Sequence, residues 1–256
     1  MLAVLLVVFS SVKASEVLRH PDGEDVPVTI RNKAMPQMDG SRIGTILERY
    51  YSDGLGGAES WAKVESLRVM GTLTLESGVF ELQAYQKKLN LIKITITAEG
   101  HGALLLAYDG VTAWQQPPGA EEPILMTEAE ARRFVHSARF GNYLLFPFEE
   151  GKVIEFVNTV PIEGALCHHI RVRLDTDYQV DYYIDIRSYV EVKVVNTDLR
   201  SGSVNSVVFD EYIWDYGMPI AKKVESFENG EWVSSLELNE VRINTGLMPW
   251  MFQMSK

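Results

Sequence analysis

From Ser66 to Ile243 the chain repeatedly alternates apolar with polar residues at a period of two. Leu67, Val69, Gly71, Leu73 and Leu75 alternate with Arg68, Met70, Thr72, Thr74 and Glu76. Phe80, Leu82 and Ala84 alternate with Glu81, Gln83 and Tyr85, and Ile92, Ile94 and Ile96 with Lys93, Thr95 and Thr97. Successive side chains on a strand point to opposite faces, so these runs predict antiparallel strands with one apolar and one polar face. Ser77-Gly78, Asp109-Gly110, Ser201-Gly202 and Asn229-Gly230 supply hairpin turns between such runs. Further strands are expected at 104–108, 112–115, 154–160, 167–174, 180–186, 189–195, 206–214, 220–227 and 232–243, about twelve in all.

Two helices interrupt the strands. Ile43, Ile46, Leu47 and Tyr50 recur at helical spacing across 41–53, and Gly54, Gly56 and Gly57 end that stripe. Thr127 with Glu130 forms a capping box ahead of a second helix, whose apolar stripe is Ala131, Phe134, Val135 and Ala138. The run FGNYLLFPF at 140–148 is very apolar for a connection. It fits either packing beneath the sheet or a lid over a cavity. No linker divides 41–256, and no repeat period is visible, so one domain is expected there: mainly β, one curved antiparallel sheet with helical additions.

Residues 2–9 read LAVLLVVF and are followed by SSVKAS. Val12 and Ala14 fit a cleavage site after Ala14, and the run is too short to span a bilayer. Residues 1–14 are therefore expected to be a signal peptide, with a buried first strand as the alternative. Residues 15–40 are polar, contain three prolines and show little periodicity, which predicts an extended or mobile lead. The mature protein is expected to be exported, soluble and periplasmic. A net charge of −11 argues against nucleic acid and against electrostatic docking on anionic headgroups. Cys167 is the sole cysteine and reads as a small buried hydrophobe.

A search for catalytic chemistry returns little. There is no nucleophile elbow, P-loop, dinucleotide fingerprint or H-E-x-x-H motif. His168 and His169 are adjacent on a predicted strand and face opposite ways, so neither metal nor cofactor is called for. Carboxylate pairs occur at Glu149/Glu150, Asp175/Asp177 and Asp181/Asp185. They could flank a substrate, but acidic residues on polar strand faces are expected in so acidic a chain.

The order of segments carries a resemblance. SLRVMGTLTLESGVFELQAYQKKLNLIKITIT precedes YDGVTAWQQPP, then a helix opening TEAEA, then YYIDIRSYVEVKV and FDEYIWDYGMPIAKKVESFENGEWVSSLELNEVRIN. The Tyr108-Asp109-Gly110…Trp114 hairpin and the Gly217-to-Ile220 strand start are the most telling pieces. Over roughly 41–254 the chain resembles the periplasmic lipoprotein-carrier superfamily: Lol-type carriers and receptors and outer-membrane lipoprotein-sorting proteins. The resemblance implies an unclosed half β-barrel plugged by α-helices, with an apolar inner face that receives acyl chains. It also implies a barrel arginine that holds the lid; Arg68 is nearest by position but lies among polar-face residues.

A lipid or lipoprotein carrier is thus the leading expectation. Its apolar cavity would be lined by Leu73, Leu75, Phe80, Leu82, Ile92, Ile94, Ile96 and Trp114, with Phe134, Phe140, Leu144 and Leu145 as lid candidates. Each buried methylene contributes about 0.8 kcal/mol. Partial burial of one long chain therefore supplies roughly 5–10 kcal/mol before ordering costs. Two alternatives stand beside it: a non-enzymatic sensor of the same fold that binds an envelope membrane protein, and a hydrolase using Asp181 or Asp185.

Overall fold

The computed structural model describes residues 41–88, 90–98, 100, 102–137, 139–144 and 152–255. The expected signal peptide and lead at 1–40 lie outside the described residues. The described part opens with helix α1 (Arg42–Arg49), a π-helical turn (Tyr50–Gly54) and the short helix α2 (Ala58–Ala62). Six strands follow: β1 (Ser66–Leu75), β2 (Gly78–Lys87), β3 (Leu91–Thr97), β4 (Ala103–Tyr108), β5 (Ala113–Gln116) and β6 (Ile124–Leu125). Helix α3 (Glu128–Ser137) comes next. Then run β7 (Lys152–Ile162), β8 (Ala165–Leu174), β9 (Tyr178–Asp185), β10 (Glu191–Asp198), β11 (Val204–Asp215), β12 (Met218–Glu228) and β13 (Glu231–Ile243). A 3-10 turn (Pro249–Phe252) closes the list of elements.

All thirteen strands pair antiparallel in one curved, unclosed sheet, ordered β6-β5-β4-β3-β2-β1-β13-β12-β11-β10-β9-β8-β7. The order is two meanders running outward from a central β1–β13 pair. That pair joins Leu67 to Ile243 and Leu73 to Leu236, and it is the one strand pairing distant in sequence. The chain leaves one edge at β6 and re-enters at the other edge, β7. Helix α3 belongs to this return. Its Thr127–Glu130 capping box forms as expected, with Thr127 N donating to Glu130 Oε2 at 2.9 Å. Arg132 then ties α3 to Asp198 at 3.0 Å and to the Thr176 carbonyl at 2.6 Å. Arg133 reaches Glu228 at 3.4 Å. The helix therefore fastens to the β8–β9, β10–β11 and β12–β13 turns.

The alternating pattern did its work through burial. On β1, Leu67, Val69, Gly71 and Leu73 are buried while Arg68, Met70, Thr72 and Thr74 are partly exposed. The Asp109-Gly110 hairpin forms with Asp109 Oδ1 accepting from Val111 N and Thr112 N at 2.9 and 2.7 Å. Differences from expectation are small and local. Strand β6 and helix α2 are two and five residues long, too short to show a period. Residues 189–190 belong to a turn, with Tyr189 at φ 59°.

Against the opposite end of the sheet from α3, the α1–α2 segment packs on the turns that follow β9 and β11. A Cβ on Gly54 would collide with the Tyr189 carbonyl, and one on Gly56 with the Gly217 carbonyl. Backbone meets backbone here because these residues have no side chain. Gly54→Ala is expected to destabilise the protein by about 2 kcal/mol through this overlap. A urea midpoint equal to that of the parent protein would refute the close approach.

Candidate ligand-binding face

Strand register assigns every strand residue to one of two faces. Leu73 faces Phe80, Gly71 faces Leu82, and Val69 faces Ala84. Leu82 continues to Ile96, Ala84 to Ile94, and Gln86 to Ile92. On the other side of the centre the same rows run through Leu236 and Val224. They then pass through Val194, Tyr182 and Ile170. These side chains make one apolar inner face, and it is the face that the helices cover. Leu73, Leu75, Phe80, Leu82, Ile92, Ile94 and Ile96 all lie on it.

Trp114 does not. Its register partners are Ala107 and Leu125, so it stands on the outer face. There Trp114 Nε1 donates to the Phe252 carbonyl at 2.9 Å, beneath the 3-10 turn. Its expected place in the cavity is corrected for a physical reason. The outer face is also apolar at this point, covered by the C-terminal segment with Leu91, Leu247 and Phe252. With apolar residues on both faces of β5, hydrophobicity cannot choose between them. Arg68 is likewise on the outer face, 3.4 Å from Met70 Sδ and over the Tyr85 ring.

A compact layer covers the inner face. It consists of Ile46, Leu47, Tyr50, Tyr51, Leu55, Trp61 and Val64 from the α1–α2 segment, with Phe134 of α3 and Phe140 and Leu144 beyond it. Phe140 stacks on Trp61 with ring centroids 5.4 Å apart. Leu145, the fourth lid candidate, lies outside the described residues, as do 146–148. Under this layer Leu73 and Ile92 are fully buried. A small apolar hollow, with a cavity volume of about 10 Å³, persists between Leu55, Trp61, Leu67, Met218, Ile220 and Ile243.

Polar contacts pin the layer down. Glu191, at the start of β10 opposite Ile184, is 2% exposed. Its Oε1 accepts from Tyr50 OH at 2.5 Å and from Asn142 Nδ2. Tyr212 OH donates to the Glu191 carbonyl at 2.6 Å. Tyr182 OH accepts from Tyr143 N at 3.0 Å, and Tyr51 OH donates to the Leu144 carbonyl. Burial raises the pKa of Glu191, and burial together with the Glu191 charge raises those of Tyr50, Tyr182 and Tyr212. His136 of α3 stacks on Tyr178 at 3.7 Å and meets Tyr143 OH at 2.6 Å. Burial, then the Arg132 and Arg139 guanidiniums, push its pKa down to about 4. Of these residues, sequence reading singled out only Tyr50, in the apolar stripe of the first helix, and Leu144, as a lid candidate.

Other candidates settle into structural roles. His168 lies on the inner face and His169 on the outer. His169 Nε2, Arg171 Nε and Gln179 Nε2 all converge on Asp181 at 2.6–2.8 Å. Asp185 accepts from the amides of Arg187 and Ser188 in the following turn. Asp177 pairs with Arg200 at 2.9 Å. Glu149 and Glu150 lie outside the described residues. Cys167 is fully buried, and burial raises its thiol to about 11. Among the described residues no group of three or more His, Cys, Asp or Glu could hold a metal ion.

Comparison with solved structures gives the fold its relatives. An outer membrane lipoprotein-sorting protein domain from Vibrio parahaemolyticus superposes with a TM-score of 0.54 at 15% identity, covering 82% of this chain and 95% of that one. A LolA superfamily protein from Nitrosomonas europaea gives 0.55 at 13% identity, covering 82% and 96%. A DUF1329 family protein from Desulfovibrio piger gives 0.57 at 10% identity, covering 82% and 96%. The chain has the fold of these proteins. At such identities the likeness is one of architecture. No family model matches the sequence, and no curated protein matches it either.

The His136 contact sets a pH dependence. Its folded pKa lies below the ordinary value of 6.5, so the unfolded chain takes up the proton first. Its contribution is complete above pH 6.5 and is lost as pH falls toward about 4. Glu191 acts with the opposite sign: its pKa is raised, so its cost grows as pH rises past the ordinary carboxylate range. The unfolding free energy from urea titration should fall through the His136 window by up to about 1 kcal/mol per pH unit, and His136→Asn should flatten that slope. An unchanged slope in the variant would show that His136 titrates normally.

Proposed function

We propose that the protein binds acyl chains of a lipid or lipoprotein against the inner face of its sheet and carries or presents them in the periplasm, without chemistry on them. The observation that carries this reading is the make-up of that face. It is a continuous apolar surface spanning both meanders, covered by short helices and loops rather than by a second sheet. A hydrophobic ligand needs little more than such a surface, because area removed from water supplies the affinity. The hollow beneath Trp61 is where the cover already fits the sheet incompletely.

Uptake on this reading requires the cover to move, since Leu73 and Ile92 are sealed when it is in place. The cover's polar ties are phenol hydroxyls, one amide side chain and the Arg132–Asp198 and Arg133–Glu228 ion pairs of α3, while the sheet beneath is held by strand ladders. The apolar run at 2–9 supports export. Among the described residues no helix is long and apolar enough to cross a membrane. The hydrolase alternative is disfavoured by Asp181, whose carboxylate is buried in the outer-face cluster with His169 and Arg171.

A second reading keeps the fold and replaces transport by sensing, with an envelope protein as partner. Exposed Trp214 and Tyr216 at the β11–β12 turn support it, as do Met248 and Trp250 near the C-terminus. Large exposed apolar side chains of this kind mark contact surfaces.

Native mass spectrometry of the full protein, followed by solvent extraction, tests the proposal. A co-purifying acyl species at near-stoichiometric amount is expected, and the delipidated protein should take up added lipid. Phe80 is half-buried, so Phe80→Glu should fold and should weaken uptake by about tenfold, the cost of a charge on the chain's path. A protein that carries no lipid and refuses added lipid overturns the carrier reading and leaves the sensor.

A further inference from the structure

Buried polar atoms without a hydrogen-bond partner are few in folded proteins, and each asks for a reason. Among the described residues they gather on the inner face here. Of six such atoms, five are Gln86 Nε2, His168 Nδ1, Glu191 Oε2, Ser226 Oγ and Ser234 Oγ, and the sixth, Thr245 Oγ1, follows the last strand. Register puts all five on the side that the helices cover. A core meant to stay closed would carry apolar groups at these places, because a buried polar group left without a partner is destabilising.

Glu191 stands apart from the other four because a carboxylate is the most costly group to seal. Both donors to its Oε1, Tyr50 OH and Asn142 Nδ2, come from the covering layer. Among the described residues the sheet itself gives its side chain no hydrogen-bond donor; Tyr212 OH goes to the backbone carbonyl instead. When the cover lifts, as acyl binding requires, Oε1 loses both partners and Oε2 still has none. Whatever takes the cover's place must then supply donors. The π turn that carries Tyr50 leads directly into Leu55, which lines the apolar hollow with Ile220, two strands from β10.

We infer that Glu191 selects the ligand's polar end: the protein takes amphiphiles whose headgroup donates hydrogen bonds, through an ammonium, amide or hydroxyl, and disfavours those ending in a carboxylate. The inference rests on the acyl-binding reading and adds the headgroup class. An ammonium or hydroxyl replaces Tyr50 and Asn142 at Oε1 and reaches Oε2 as well. A carboxylate headgroup would bring a second negative charge beside the first, in a setting that screens it poorly.

The test uses the full native protein and three amphiphiles with the same alkyl chain: dodecylamine, monolauroylglycerol and laurate. Each is titrated at neutral pH against a fluorescent acyl probe bound to the delipidated protein. The amine and the glycerol ester should displace the probe at about one tenth the concentration that laurate needs, the size expected of a charge-assisted hydrogen bond. Glu191→Gln should bring the amine and laurate within about threefold of each other. Equal displacement by all three in the native protein overturns the inference and leaves acyl binding standing. A headgroup preference that survives Glu191→Gln overturns the assignment to this residue. A protein that binds neither probe nor amphiphile overturns both readings. The native comparison stands alone if the variant does not fold.

Discussion

A sheet whose inner face is mainly apolar must be kept from water, and the arrangement of the covering elements follows from how that is done. Closure into a barrel would do it, but the sheet stops at β6 on one side and β7 on the other. A second sheet would do it, but among the described residues α1–α2, α3, Phe140 and Leu144 are what covers that side. The cover is consequently thin, and it must seat large side chains closely: Tyr50, Tyr51, Trp61 and Phe134 fill the space that a second layer would otherwise fill. Gly54 and Gly56 let this layer approach the ends of the strands to backbone contact.

The open edges need management, since unpaired strand edges recruit other strands. Strand β6 solves the problem by being two residues long. Strand β7 is eleven residues long and uses other devices. A bulge lies between Phe156 and Asn158, Pro161 removes a donor, and Arg42 of α1 lies over the Phe156 ring at 4.0 Å. The same helix that covers the inner face thus also blunts the exposed edge. Moving it exposes both at once, which favours a cover that lifts only when something replaces it.

Most of the fold was legible because period two survives wherever one strand face is buried and the other wet. Twelve of the thirteen strands and the opposite facing of His168 and His169 followed from that rule, while turn and cap residues announced the hairpins and the box at Thr127. Legibility failed where the rule's premise failed. Trp114 sits where both faces are covered, so its hydrophobicity carried no direction. Glu191 was hidden more deeply. In the run Glu191-Val192-Lys193-Val194, simple alternation puts Glu191 with Lys193 on the polar face. The register shift between Glu191 and Lys193 turns Glu191 inward, opposite Ile184, while Val194 stays on the inner face opposite Tyr182. One irregular residue reverses the parity of everything before it. The sequence holds no turn residue there to announce it.

On the acyl-binding reading proposed above, that reversal would let a cover and a ligand compete on even terms. Acyl chain and cover would bury apolar area against the same strands, so the hydrophobic gain would largely cancel between the two states. What remains is the polar remainder, and Glu191 dominates it. With the cover down, the carboxylate has two donors and one bare oxygen, a state stable enough to persist and short of full satisfaction. A fully apolar interface would leave no such asymmetry, and affinity would track chain length alone. A fully satisfied carboxylate would hold the cover shut against any ligand, since breaking a buried charged hydrogen bond costs several kcal/mol. The half-satisfied arrangement lies between these limits, where the chemistry of a headgroup can decide which layer occupies the sheet.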